Sequence, residues 1–189
     1  IFVSMLLGWE IPLLPIHLLF INLVTDSLPA LALGTEKGEP GLMSEPPRDP
    51  NEPIMNKDML VSIAVQSIVL TCAVLGSFYY GKFHYGQLEI ARTYAFVTLI
   101  VGELLRAYPA RSEKLNLWQI GFFSNRNMNL GTLGSFVMLI LVMTIDPVRE
   151  LFKLAPFNLF DLEVVIAIGL MPAVFGELVK LFRRVTRGK

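Results

Sequence analysis

The chain has 189 residues, 53% of them hydrophobic, a mean hydropathy of +0.57, and 16 basic against 16 acidic residues. So apolar a composition excludes an ordinary soluble domain, and zero net charge without a basic patch excludes nucleic acid as a partner. The one cysteine, Cys72, excludes a disulfide framework and a thiolate metal site, and within its apolar run it is expected to be a small buried residue.

The apolar residues fall in blocks of about twenty, the length a helix needs to cross a hydrocarbon core of roughly 30 Å. The predicted class is all-α, a polytopic transmembrane helical bundle of five full spans preceded by the tail of another helix. Residues 1–8, "IFVSMLLG", form that tail. They lack the basic start and cleavage site of a signal peptide, so the chain is expected to be part of something longer. "GWEIP" then turns the chain with Trp9 at interface height, and the first full span covers 13–33. Residues 35–57, rich in Pro, Gly and acids, are too polar to enter lipid. Further spans are predicted over 58–80, 90–108, 128–146 and 161–182.

The expected domains are therefore 1–34, the helix tail and a broken ion-binding helix; 35–57, a cytoplasmic loop; and 58–189, a four-helix bundle with a basic tail. Orientation follows from charge. Twelve Lys and Arg residues fall in one set of loops and four in the other, which places 35–57, 109–127 and the C-terminus in the cytoplasm.

The span at 13–33 carries "INLVTDSLPA", where an amide, a hydroxyl, a carboxylate and a proline fall within eight residues. An ionisable residue at membrane depth is costly, which makes Asp26 a functional candidate. Asn22 and Asp26 are four apart and share a helix face, and Pro29 lies one turn further on. Proline has no N–H for the carbonyl four residues back, so it frees that of Thr25. Asn22, Thr25, Asp26 and a loosened carbonyl make a set of hard oxygen ligands suited to Ca²⁺ and alkali cations. Broken helices near the midplane are a recurrent way to build ion sites in transporters.

Glu103, in "VGELL", is the second candidate, with Gly102 beside it allowing close helix approach; the competing reading is a local pair with Arg106. Glu177 is read as a partner of Lys180, Asp146 and Asp161 as caps or boundary residues at the ends of spans, His17 as a pathway or packing residue, and Gln66 and Thr71 as interhelical hydrogen-bonding groups.

Taken together, "LLFINLVTDSLPALALG" followed by "LMSEPPRDPNEPIM" resembles the sixth transmembrane helix and following loop of the P-type calcium-transporting ATPases. "VGELL" and "IDPVRELFKLAPFNLFD" are similar to that family's eighth helix and its ninth-to-tenth connector. The resemblance implies the family's C-terminal membrane region, from the end of helix five through helix ten. It implies Asn22, Thr25, Asp26 and Glu103 as ligands of a transported Ca²⁺, with Asp26 central. It also implies partners: the lipid bilayer, and the N-terminal helices and cytoplasmic domains of the same pump. Neither a "DKTGT" nor a "TGES" motif occurs, so ATP and Mg²⁺ are expected to bind only in those other domains, and no catalytic residue is expected within this chain. Ser27, where animal reticulum pumps usually have Gly, favours a bacterial cell membrane. The competing function is a segment of a secondary cation exchanger or channel.

Overall fold

Where hydrocarbon replaces water, a backbone must bond to itself, and helices do this within one segment. The computed structural model describes residues 1–36, 38, 55, 57–112 and 115–186. Among these residues it has nine α-helices and no strand, as the composition predicts. They are α1 (Phe2–Leu6), α2 (Pro15–Phe20), α3 (Ser27–Leu33), α4 (Lys57–Tyr85), α5 (Leu88–Arg106), α6 (Leu117–Ile120), α7 (Arg126–Thr144), α8 (Asp146–Leu151) and α9 (Leu159–Thr186). A π turn, Ile21–Thr25, joins α2 to α3, and a 3₁₀ turn, Pro109–Arg111, follows α5. Most of the 35–57 stretch lies outside the described residues.

The expected count of five spans needs a correction. Four segments are long and apolar enough to cross a bilayer: Pro15–Leu33, Met59–Tyr85, Arg126–Thr144 and Leu159–Phe182. The fifth, α5, has 19 residues, but Glu89 and Arg92 lie near its start and Glu103 and Arg106 near its end. Its position explains why it tolerates them. Tyr94, Ala95, Phe96, Ile100 and Leu104 are fully buried, and α5 packs between α4 and α9. A helix shielded by its neighbours does not need an all-apolar surface. Cys72 is also corrected: it is exposed on α4 and faces outward. That helix carries outward-facing Val61, Ile63 and Ile68, the surface of a helix that meets lipid or another helix.

Close approach in the core rests on small residues. A Cβ on Gly169 of α9 would lie 2.7 Å from Val101 Cγ1, and one on Gly102 of α5 would lie 2.7 Å from Leu70 Cδ1. The two backbones meet at that level, as predicted for Gly102. At the opposite end of α9, Asn158 and Asp161 form a reciprocal cap. Asp161 N–H donates to Asn158 Oδ1 at 2.8 Å, and Asn158 N–H donates to Asp161 Oδ2 at 3.0 Å. Asp161 does more than cap, because its Oδ1 also accepts from Tyr85 Oη at 2.5 Å and from Tyr94 Oη at 2.6 Å. One carboxylate thus ties α4, α5 and α9 together. Near the same end, exposed Glu10 pairs with Lys82, whose hydrogen bond holds the Glu10 carboxyl below its usual range.

Candidate cation site

The broken span is built by local chemistry. Pro15 opens α2, its fixed φ suiting the first helical position, and the Leu14 N–H donates to His17 Nδ1 at 3.2 Å. Regular helix then lasts only to Phe20. The Asp26 N–H reaches back five residues to the Ile21 carbonyl at 2.9 Å, which is π geometry. Pro29 is one cause: it has no N–H for the Thr25 carbonyl, and its ring crowds that position. Side chains replace part of the lost pairing. Thr25 Oγ1 donates to Ile21 O at 2.8 Å, Ser27 Oγ to Asn22 O at 3.1 Å, and Ser135 Oγ of α7 to Val24 O at 3.2 Å. The helix is therefore interrupted between Ile21 and Asp26.

The interruption faces a cavity of about 440 Å³, lined among others by Thr25, Asp26, Gln66, Glu103, Arg106 and Lys180. The structure thus brings Thr25 and Asp26 of the broken span to the same space as Glu103 of α5. The Asp26 and Glu103 carboxyl groups line this one space, and Arg106 lines it with them. Glu103 Oε2 is buried and has no hydrogen-bond partner. An orphaned carboxylate oxygen on a residue that lines the cavity is an acceptor waiting for a donor or a cation. Thr25 is 1% exposed; its hydroxyl proton is committed to Ile21, which leaves its lone pairs free to face a cation. Asn22 is exposed and not among the cavity-lining residues, since the π turn changes the register that a regular four-residue spacing assumes. Among the described residues no group of three or more His, Cys, Asp or Glu converges. The chain therefore presents part of an oxygen-ligand shell.

The other polar candidates fall elsewhere. His17 is fully buried one turn above the site, with Nε2 2.7 Å from the Phe152 carbonyl and its ring against Phe96, so it packs as predicted. Glu177 pairs with Lys180 at 3.1 Å and also accepts from Asn116 Nδ2 at 3.0 Å and from Leu117 N–H at 2.9 Å. Asp146 pairs with Arg149 at 2.6 Å.

Comparison with known proteins bears on what such a site serves. The family model described as "Cation transporting ATPase, C-terminus" matches residues 10–182. The chain belongs to this family. A calcium-transporting ATPase of Listeria monocytogenes is 35% identical across 94% of this chain, and calcium-transporting ATPase 1 of Bacillus cereus is 30% identical across 97%. The human calcium-transporting ATPase type 2C member 1 is 26% identical across 95%. The aligned regions cover 20%, 22% and 20% of the Listeria, Bacillus and human relatives, so the chain spans about a fifth of their length. The membership agrees with the all-helical, multi-pass architecture.

Three further residues escape a reading of local sequence: Glu36, Arg111 and Asn125, which meet at one end of α3. Only Asn125 carries a local signal, as the residue before an apolar run; its Oδ1 accepts from the Met128 N–H at 2.9 Å and caps α7.

Proposed function

We propose that this chain is the cation-binding and membrane-scaffold part of an ATP-driven pump that carries Ca²⁺ as its substrate out of the cytoplasm. The observation that carries the reading is the meeting of Thr25, Asp26 and Glu103 at one cavity beside a helix interrupted next to them. Two carboxylates supply the negative charge that offsets dehydration of a divalent ion, and the hydroxyl oxygen of Thr25 supplies a neutral ligand, whereas Asn22 stands off the cavity. Interrupted helix serves this purpose because carbonyls released from helical pairing can turn toward the ion. The names of the relatives support calcium as the cargo.

The fifth of the relatives' length matched here leaves phosphorylation by ATP and Mg²⁺ to the remaining four fifths. Coupling to the phosphorylation domain is assigned to the 35–57 segment, while the last four membrane helices anchor. The location we propose is a bacterial cell membrane with the C-terminus in the cytoplasm, an orientation that the clustering of basic residues supports.

The test is ATP-driven Ca²⁺ uptake by the full-length protein in proteoliposomes, together with the Ca²⁺ dependence of its phosphorylation. Asp26→Asn keeps shape and one oxygen but removes charge, and it is expected to abolish uptake and the Ca²⁺ dependence. Glu103→Gln is expected to weaken apparent Ca²⁺ affinity on the order of tenfold. Unimpaired uptake by Asp26→Asn overturns the reading. So does Ca²⁺ uptake driven by an imposed cation gradient without ATP, which would mark an exchanger.

A further inference from the structure

The cytoplasmic end of α3 is fastened unusually well. After Gly34 the chain turns back on itself, with the Thr35 and Glu36 N–H groups donating to the Ala32 and Leu33 carbonyls, each at 3.0 Å. This turn delivers the Glu36 carboxylate to Arg111, just beyond α5. Arg111 Nε donates to Glu36 Oε2 and Nη2 to Glu36 Oε1, both at 2.8 Å, a parallel two-bond fork. The Arg111 side chain is 0% exposed and that of Glu36 17%. Remaining guanidinium protons go to the Gly121 carbonyl at 3.0 Å and to Ser124 Oγ at 2.5 Å. Asn125 joins from the start of α7, donating to Glu36 Oε2 at 2.8 Å and to Ala32 O at 3.3 Å.

The grip continues toward the cavity. A Cβ on Gly131 of α7 would lie 3.1 Å from the Leu28 carbonyl, so the two backbones touch there. One turn further, Ser135 bonds the Val24 carbonyl, next to Thr25. The segment from Val24 to Glu36 is thus held at three levels by groups outside it. Between these levels lies α3, a short rigid rod. The seven helical residues span about 10 Å, and the hydrogen-bonded turn at Thr35 and Glu36 ties Glu36 to their end, so a shift or rotation at Glu36 is passed to Asp26 rather than absorbed.

We infer that Arg111, acting through Glu36, is a positioning residue for the cation site: the fork sets the height and rotation of α3, and with it where Thr25 and Asp26 stand relative to Glu103. The inference rests on the pump reading. A buried guanidinium fixes its partner in direction as well as distance, which a lysine at the same place does not. Misplacement of a ligand by a fraction of an ångström costs affinity without touching the ligand itself.

The test uses the full-length protein in proteoliposomes. Arg111→Lys, Glu36→Gln and the double variant Glu36→Gln/Arg111→Met are compared with wild type for the Ca²⁺ concentration giving half-maximal phosphorylation from ATP, and for the phosphoenzyme level at saturating Ca²⁺. Each single variant is expected to raise the half-maximal concentration roughly three- to tenfold while keeping the saturated level. The double variant is expected to shift it no further than the worse single one, because all three lose the same fork. Lower thermal stability with an unshifted Ca²⁺ dependence would make the fork structural only and overturn the inference. A wild type whose phosphorylation ignores Ca²⁺ would remove the pump reading, and the inference with it. Ca²⁺-dependent wild type with unshifted variants removes the inference alone. Should Arg111→Lys fail to fold, Glu36→Gln, which keeps shape and one acceptor oxygen, decides the matter.

Discussion

Replacing Asp161 by alanine should reveal how much of the bundle hangs on one carboxylate. The substitution removes three bonds accepted by that group: from Tyr94 Oη at 2.6 Å, Tyr85 Oη at 2.5 Å and the Asn158 N–H at 3.0 Å. These losses are unequal. Tyr94 is fully buried, so its hydroxyl is left without a partner, at about 1.5–3 kcal/mol for a bond to a charged acceptor. Tyr85 is only partly buried and can turn to water, and the lost cap at Asn158 is worth about 1 kcal/mol. The sum is roughly 2.5–4 kcal/mol, a large part of the stability of a typical domain. Equilibrium unfolding in mixed detergent and SDS micelles measures it. The decisive comparison is Asp161→Ala in a Tyr94→Phe background, where no buried hydroxyl is orphaned. There the cost should shrink by the Tyr94 share, about 1.5–3 kcal/mol. An equal cost in both backgrounds, or a total below about 1 kcal/mol, would refute the view that buried hydroxyl pairing holds α4, α5 and α9 together.

Two other outcomes follow from packing and charge. Gly169→Ala sets helix propensity, worth about 1 kcal/mol in favour, against a Cβ placed 2.7 Å from Val101 Cγ1 and 2.9 Å from Val101 Cβ. Val101 Cβ cannot rotate away, so overpacking wins, and a net loss of about 1–2 kcal/mol is expected in the same unfolding assay; a gain in stability would show that α5 and α9 are free to part. A cysteine placed at Ser44 of the full-length protein, in a Cys72→Ser background, should resist a membrane-impermeant thiol reagent in intact cells and react after lysis. Labelling from outside would invert the topology.

Much of this protein is written locally. Apolar blocks of membrane length, Pro29 after Asp26, Gly102 and the cap at Asn158–Asp161 each state their role within a few residues, because hydrophobic length, a missing N–H and a short side chain are local causes. The helical class and the interrupted span are legible for that reason. Tertiary structure alone decided the rest. It brought Glu103 and Asp26 to one cavity, sent Glu36 to Arg111 seventy-five residues away, and gave Asp161 two tyrosines from other helices. It also showed that α5, marked by its charges as the least apolar span, is the buried centre of the bundle, and that Cys72 faces outward. Which face of a helix meets which neighbour depends on how all the helices pack at once. In lipid, where apolar side chains do not distinguish a neighbour from solvent, hydropathy carries no record of that choice.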